Sequence, residues 1–275
     1  MDIKSVTKVI EDFLFEAGAL ALEKQDGIEC FYKEGQQALT ATDLAVSKMA
    51  QEHLSSFLSL PNHVLIDEES IQKSPSEILP HSEYQWVLDP IDGTAGYALG
   101  RKMWGVSLGL LHNGCPVAGG IYMPAIGYFL ITDDKATCKI DVTTQQKTVV
   151  TCSKMLVHSQ MFVESFYAEG WGWHNRSGVG KIWQHTPESA VQGGVCTLLS
   201  QSAGNILAKT YSIWDAAGIL TLARHTGLKC FSMTDGREWT QLKTTDFKEN
   251  WKLADDWLIC HPDNFDEISK VLKGE

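Results

Sequence analysis

Apolar side chains recur every three or four positions at Val6, Val9, Ile10, Phe13, Leu14, Ala17, Leu20 and Ala21, which predicts an amphipathic helix ending near Asp26-Gly27. The same period returns over residues 44–58, behind Thr40, Thr42 and Asp43, any of which could cap a second helix. The period then shortens. His63–Asp67 and residues 86–88 are short runs of strand-forming side chains, and each breaks into carboxylates: Glu68-Glu69 after the first, Asp89 and Asp92 after the second. Residues 72–82, between them, are polar and carry Pro75 and Pro80, the composition of a loop. Residues 103–112, 116–123 and 127–132 read as further strands. With Asn113-Gly114 as a hairpin turn, they predict an antiparallel meander.

Residues 136–153 remain β-rich, and a junction near Asp141 divides the chain into an α+β half, 1–141, with an antiparallel sheet, and an α/β half, 142–275, that completes the site. Residues 170–187 differ in texture, with Trp171, Trp173, His174, Arg176, Lys181, Trp183 and His185 set among glycines. Such a segment either touches a ligand or simply packs its indoles. From Gly193-Gly194 onward the pattern alternates: helix over 195–203, strand over 206–211, helix over 214–225, strands over 229–233 and 257–260, and a last helix capped by Asp263 or Asn264.

Charge and cysteine usage narrow the class. With 275 residues and a formal net charge of −11, the chain can bury a sizeable core but lacks the basic face that a nucleic acid polymer or an anionic membrane would require. Charged residues interrupt the first helix and no apolar run reaches spanning length, so neither a leader nor a membrane anchor is expected. Seven scattered cysteines with no CxxC spacing suggest neither a disulfide framework nor a zinc site and fit a reducing cytoplasm.

The chemistry concentrates at the element ends. In WVLDPIDGT, residues 86–94, Pro90 and Gly93 punctuate Asp89 and Asp92, a sharp turn on which both carboxylates can converge with the Ile91 carbonyl. Asp215 opens the WDAAG helix, whose Ala216-Ala217-Gly218 run permits close approach. If Glu68, Glu69, Asp89, Asp92 and Asp215 meet, repulsion governs, since two like charges about 4 Å apart cost roughly 4 kcal/mol at a dielectric near 20. Divalent cations offset it. An all-oxygen donor set selects Mg²⁺, with Mn²⁺ as the alternative. Backbone N–H groups at Gly93-Thr94 supply an anion pocket beside the cations, which points to phosphoryl chemistry. No P-loop or glycine-rich kinase loop is present, so hydrolysis is favoured over transfer from a nucleotide. A DxDGT aspartyl-phosphate mechanism is excluded because the position of its nucleophile is held by Pro90. Asp43 is open between cap and site.

Taken together, Asp43 in LTATD, Glu68-Glu69-Ser70, WVLDPIDGT at 86–94 and WDAAG at 214–218 resemble the inositol monophosphatase family of magnesium-dependent, lithium-sensitive phosphatases, in the family's order and near its spacing. The resemblance implies a layered αβαβα sandwich and hydrolysis of a small phosphate monoester by metal-activated water. It implies one metal held by Glu68, Asp89 and the Ile91 carbonyl, a second by Asp89, Asp92 and Asp215, and a third, weaker one near Glu68 and Glu69. Thr94, hydrogen-bonded to Asp43, would help Glu68 and the first metal activate the water, while the Gly93 and Thr94 amides hold the phosphate. The second metal would stabilise the leaving alkoxide. Homodimers are common in the family.

The departures concern substrate. Tyr97 matches the family, but Leu99 takes a position where it often has His, Arg or Asn. Ahead of Trp214, where inositol-selective members carry a Glu, this chain has Lys209 and Thr210, a cation that favours a more anionic substrate. Gly193-Gly194 fall where the family's substrate-binding backbone lies, so Gly194 and Lys209 join Gly93 and Thr94 as candidate contacts. Inositol monophosphate is the default substrate. 3′-Phosphoadenosine 5′-phosphate, fructose 1,6-bisphosphate and histidinol phosphate are the competitors, and a non-catalytic metal- or ligand-binding regulator is the reading from another class.

Overall fold

The computed structural model describes residues 1–32, 38–154, 161–162, 184–185 and 188–273. Helix α1 (Ile3–Lys24) starts at Asp2, whose carboxylate accepts the Lys4 N–H at 3.2 Å, and it buries Val6, Ile10, Phe13, Leu14, Ala17 and Ala21. The antiparallel pair β1 (Cys30–Tyr32) and β2 (Ala38–Thr40) leads into α2 (Ala41–His53), then α3 (Ser55–Leu58). The apolar pattern over 44–58 spans both helices because Leu54, at the break, is itself buried.

Strand β3 (His63–Asp67) is followed by α4 (Pro75–Ile78), where composition alone suggests only loop. Pro75 stands in the first turn and the Glu77 carboxylate accepts the Ser74 N–H at 2.9 Å, so a short capped helix forms inside a polar stretch. Next come β4 (Tyr84–Asp92), α5 (Thr94–Ala98), β5 (Gly105–His112), β6 (Cys115–Met123), β7 (Tyr128–Thr132), β8 (Thr137–Ile140) and β9 (Lys147–Val149). Among the described residues, β3 to β9 form one seven-stranded sheet in sequence order, with β3 parallel to β4 and every other pairing antiparallel. Asn113 and Gly114 turn the β5–β6 hairpin with φ of 51° and 76°, matching the right-handed twist of the strands.

Beyond β9 the helices and strands of the described residues are β10 (Met161–Phe162), β11 (Gln184–His185), α6 (Ala190–Leu198), β12 (Gly204–Leu207), α7 (Ile213–Ala223), β13 (Lys229–Ser232), β14 (Trp257–Cys260) and α8 (Phe265–Lys273). The five strands pair in the order β11-β10-β12-β14-β13. Here the helix expected over 195–203 begins earlier, at Ala190, and β12 is shorter than the strand expected over 206–211. Gly193 and Gly194 lie inside α6 rather than before it. A Cβ at Gly193 would fall 2.2 Å from Asn205 Oδ1, and one at Gly194 would fall 2.5 Å from Ile219 Cδ1, so packing overrides weak helix propensity.

Helices α1 and α2 cover one face of the large sheet, while α7, with α6 beside it, covers the other. The smaller sheet lies beyond α6, and α8 joins it through Phe265 against Phe231, with ring centroids 4.5 Å apart. The layers are therefore αβαβα. Both faces of the large sheet are apolar: Trp86, Leu88, Val106 and Leu108 belong to the core under α1, and Val87 and Leu111 to the core under α7. Among the described residues no helix is long and apolar enough to cross a membrane, and all seven cysteines are free thiols.

Candidate active site

Strand alternation aims the first acid. Trp86 and Leu88 point toward α1 and Val87 toward α7, so Asp89 also falls on the α7 face, paired across the ladder with Ser107. The chain does not turn at Pro90, as the composition suggests. It stays in β4 to Asp92 through an irregularity in register between Asp89 and Asp92, a place where the missing proline N–H is tolerated. The turn comes one residue later, at Gly93, with φ of 88°.

Helix α7 brings the third acid down onto that strand end. Its small residues allow very close approach: a Cβ at Gly109 of β5 would fall 2.9 Å from the Ala217 carbonyl carbon, and one at Gly218 would fall 2.2 Å from Ser107 Oγ. Asp215 sits in the first turn of α7, where its Oδ2 accepts the Ser212 N–H at 2.6 Å. As a result, carboxylate oxygens of Asp89, Asp92 and Asp215 all lie within 4.8 Å of one another.

Backbone N–H groups fix these carboxylates. Asp92 Oδ2 accepts the Val191 N–H at 2.6 Å and Oδ1 the Ala190 N–H at 3.3 Å, both from the first turn of α6. Asp43 serves two purposes. Its Oδ2 accepts the Thr40 N–H at 2.8 Å, completing the cap of α2, while Oδ1 lies 3.1 Å from Thr94 Oγ1. The Thr94 hydroxyl is also 2.8 Å from the Ile91 carbonyl oxygen. Glu68 is held beside β4 by its N–H to the Leu88 carbonyl at 3.3 Å. Buried Asp67 shapes that turn, accepting the Ser47 hydroxyl at 3.0 Å, the Glu69 N–H at 3.2 Å and the Ser70 hydroxyl at 2.7 Å.

The electrostatics follow from convergence. Burial raises the Asp89 carboxyl well above the ordinary carboxylate range, and the charges of Glu68, Asp92, Asp215 and Asp43 push it the same way. Asp92 is pushed up to about 7 by burial and then Asp215, against the lowering influence of the α6 amides. Asp43 is raised by burial, which outweighs its hydrogen bonds from Thr40 and Thr94. Asp89 Oδ1 is buried with no hydrogen-bond partner among the described residues. An orphaned carboxylate oxygen amid other carboxylates, without His or Cys in the cluster, fits a hard divalent cation such as Mg²⁺.

The other candidates have these surroundings. Gly194 is buried within α6 against Ile219, and Lys209 Nζ lies 3.9 Å from Asp256 Oδ2. Glu69 follows Glu68 on the Asp67 turn. Trp171, Trp173, His174, Arg176, Lys181 and Trp183 fall outside the described residues, and His185 lies in β11. Sequence reasoning missed the Ser189, Ala190 and Val191 turn that holds Asp92. A cap residue immediately before Ala190-Val191 is the available signal for it.

The family model described as "Inositol monophosphatase family" matches residues 2–261. Inositol-1-monophosphatase ImpA of Mycolicibacterium smegmatis is 37% identical over 95 residues, covering 34% of this chain and 32% of the relative. The chloroplastic bifunctional phosphatase IMPL2 of Arabidopsis thaliana is 29% identical over 123 residues, covering 42% of this chain and 35% of the relative. The chain thus matches about a third of the length of these curated relatives. Among solved structures, the extragenic suppressor protein suhB from Bartonella henselae superposes with a TM-score of 0.75 at 17% identity over 98% of both chains. Staphylococcal IMPase-I complexed with products gives 0.75 at 15% identity, over 98% of this chain and 96% of that one. These likenesses show the same layered fold. With the family model spanning nearly its whole length, the chain belongs to the inositol monophosphatase family.

Proposed function

We propose that this protein hydrolyses the phosphate monoester of a small metabolite, with two or three Mg²⁺ per site as cofactor. The observation that carries the reading is the partnerless Asp89 oxygen, buried where Asp92 and Asp215 converge. Glu68, Asp89, the Ile91 carbonyl, Asp92 and Asp215 would hold the ions, with Glu69 at the weaker third position. Bound there, divalent cations neutralise the carboxylates, polarise the phosphoryl group and acidify water.

The chain's own groups orient the reaction. The Gly93 and Thr94 amides hold the phosphate oxygens. Thr94 Oγ1, fixed between Asp43 and the Ile91 carbonyl, positions the attacking water, and Glu68 takes its proton. As the water oxygen bonds to phosphorus, the phosphorus–alkoxide bond breaks and the alkoxide takes a proton from solvent, giving an alcohol and inorganic phosphate. The relatives support this class: one is named an inositol-1-monophosphatase, another a bifunctional phosphatase.

Inositol 1-phosphate is the first substrate to test. Lys209 favours a more anionic ester such as a bisphosphate, but its ammonium lies 3.9 Å from Asp256 Oδ2, which weakens that motive. Phosphate release should be measured from inositol 1-phosphate, 3′-phosphoadenosine 5′-phosphate, fructose 1,6-bisphosphate and histidinol phosphate, with Mg²⁺, with EDTA and with lithium. We expect metal-dependent release that EDTA abolishes and lithium inhibits. No metal-dependent release from any of them would favour a non-catalytic binding protein. A homodimer belongs to the same proposal, and sedimentation velocity tests it.

A further inference from the structure

The rim of the site carries an ion pair that the hydrolytic steps do not use. Arg101 Nη1 lies 3.8 Å from Glu188 Oε2. The backbone fixes both residues. Arg101 donates its N–H to the Gly96 carbonyl at 3.0 Å, and its carbonyl accepts from Gln25 Nε2 at 2.7 Å. Glu188 donates its N–H to Gln192 Oε1 at 2.6 Å, just ahead of the α6 turn that holds Asp92. Glu188 also reaches the phosphate loop itself. A Cβ added at Gly93 would lie 3.5 Å from the Glu188 carbonyl oxygen, and one at Gly96 would lie 3.9 Å from Glu188 Oε2.

A carboxylate therefore stands against Gly96, two residues beyond the Thr94 amide proposed to hold the phosphate. The Glu188 side chain is 38% exposed, open enough to meet a ligand. Arg101, 56% exposed, offsets its charge only in part, because a pair 3.8 Å apart in solvent is weakly held. A second anionic group on the substrate would approach this carboxylate at a cost, whereas a hydroxyl or ammonium would find an acceptor.

We infer that Glu188 is a specificity-determining residue that reads the alcohol half of the ester, disfavouring a second phosphate and favouring hydroxyl or ammonium donors, with Arg101 setting its strength. The inference rests on the hydrolytic reading above. The test is kcat and KM for inositol 1-phosphate and fructose 1,6-bisphosphate in the wild type, Glu188→Gln and Arg101→Gln. Glu188→Gln should raise the bisphosphate-to-monophosphate ratio of kcat/KM about fivefold, through KM, and about 0.5 M salt should shrink the change. Arg101→Gln should move the ratio the opposite way. An unchanged ratio in both variants, or an equal loss of kcat on both esters as a purely structural role predicts, overturns the inference and leaves hydrolysis standing. A wild type that cleaves neither ester in Mg²⁺ overturns both.

Discussion

Two buried acidic sites in this molecule are built on opposite principles. Asp246, in the segment between β13 and β14, is matched on every side: Arg237 Nη2 donates at 2.5 Å, Trp239 Nε1 at 2.8 Å and the Lys243 N–H at 2.8 Å. The same guanidinium lies over the Trp257 ring, 4.8 Å from its centroid. At the end of β4, by contrast, Asp89, Asp92 and Asp215 face one another, and one Asp89 oxygen has no partner among the described residues. Burying an acid is costly in both places. What separates a carboxylate that holds the fold from one that awaits a ligand is whether the chain supplies its counter-charge.

The sharpest way to break this contrast is to neutralise one acid at each site. Asp92→Asn should lower kcat/KM for inositol 1-phosphate by about 10³-fold or more, since a proposed metal ligand and the charge it contributes are lost. It should leave the metal-free protein no less stable, because the amide oxygen can still accept the Val191 N–H while repulsion with Asp215 falls. Asp246→Asn should do the reverse. It strips the partner of Arg237 and costs about 2–4 kcal/mol in urea unfolding, with kcat per folded molecule within about twofold of wild type. If both substitutions destabilise alike, the two sites are not different in kind.

The two sites were also unequally legible. Glu68, Asp89 and Asp92 follow apolar runs and Asp215 opens one, places where a carboxylate contributes nothing to the core and its position invites a site. The antiparallel meander of the first half and the helix–strand alternation of the second follow from such runs, whereas the layering was implied by the family resemblance. Asp43 could not be decided by spacing, since its two oxygens serve the α2 cap and Thr94 separately. The start of α6 was hidden because Gly193-Gly194 reads as a break, and only Asn205 and Ile219, remote in sequence, explain glycine there. Asp246 carries no motif. Its partners arrive from an irregular segment, with one donor on the backbone, so nothing periodic announces it.

Charge supplied from outside should erase part of the difference. An acid held above its unfolded value takes up protons on folding, so the metal-free fold loses stability as pH rises from about 4 toward the value near 7 to which Asp92 is pushed. Thermal unfolding in EDTA should therefore show a falling Tm over that window. With Mg²⁺ at about 100 times its Kd the folded state gains about 2.7 kcal/mol, and the loss should flatten or reverse, because the cation competes with those protons. Asp92→Asn should weaken both responses and Asp246→Asn neither. A Tm indifferent to Mg²⁺ at neutral pH would show that the acids do not act as a cation site.

The smallest effect probes the contrast at the surface. Lys147 Nζ meets Glu11 Oε2 at 2.5 Å and ties β9 to α1, with side chains 46% and 13% exposed. In charge it repeats the Arg237–Asp246 pair, and the two cations are about equally exposed; what differs is the acid, fully buried in Asp246 but within reach of water in Glu11. Water reaches both groups of the Lys147–Glu11 pair, so the gain on pairing is slight. A double-mutant cycle with Lys147→Met and Glu11→Gln should give a coupling of about 0.5 kcal/mol that fades in about 1 M salt, where the Debye length shrinks to about 3 Å. The Arg237–Asp246 coupling should survive that salt, because ions cannot enter between groups whose acid has no exposed surface. Equal salt sensitivity in the two cycles would mean that burial is not what sets a buried carboxylate apart here.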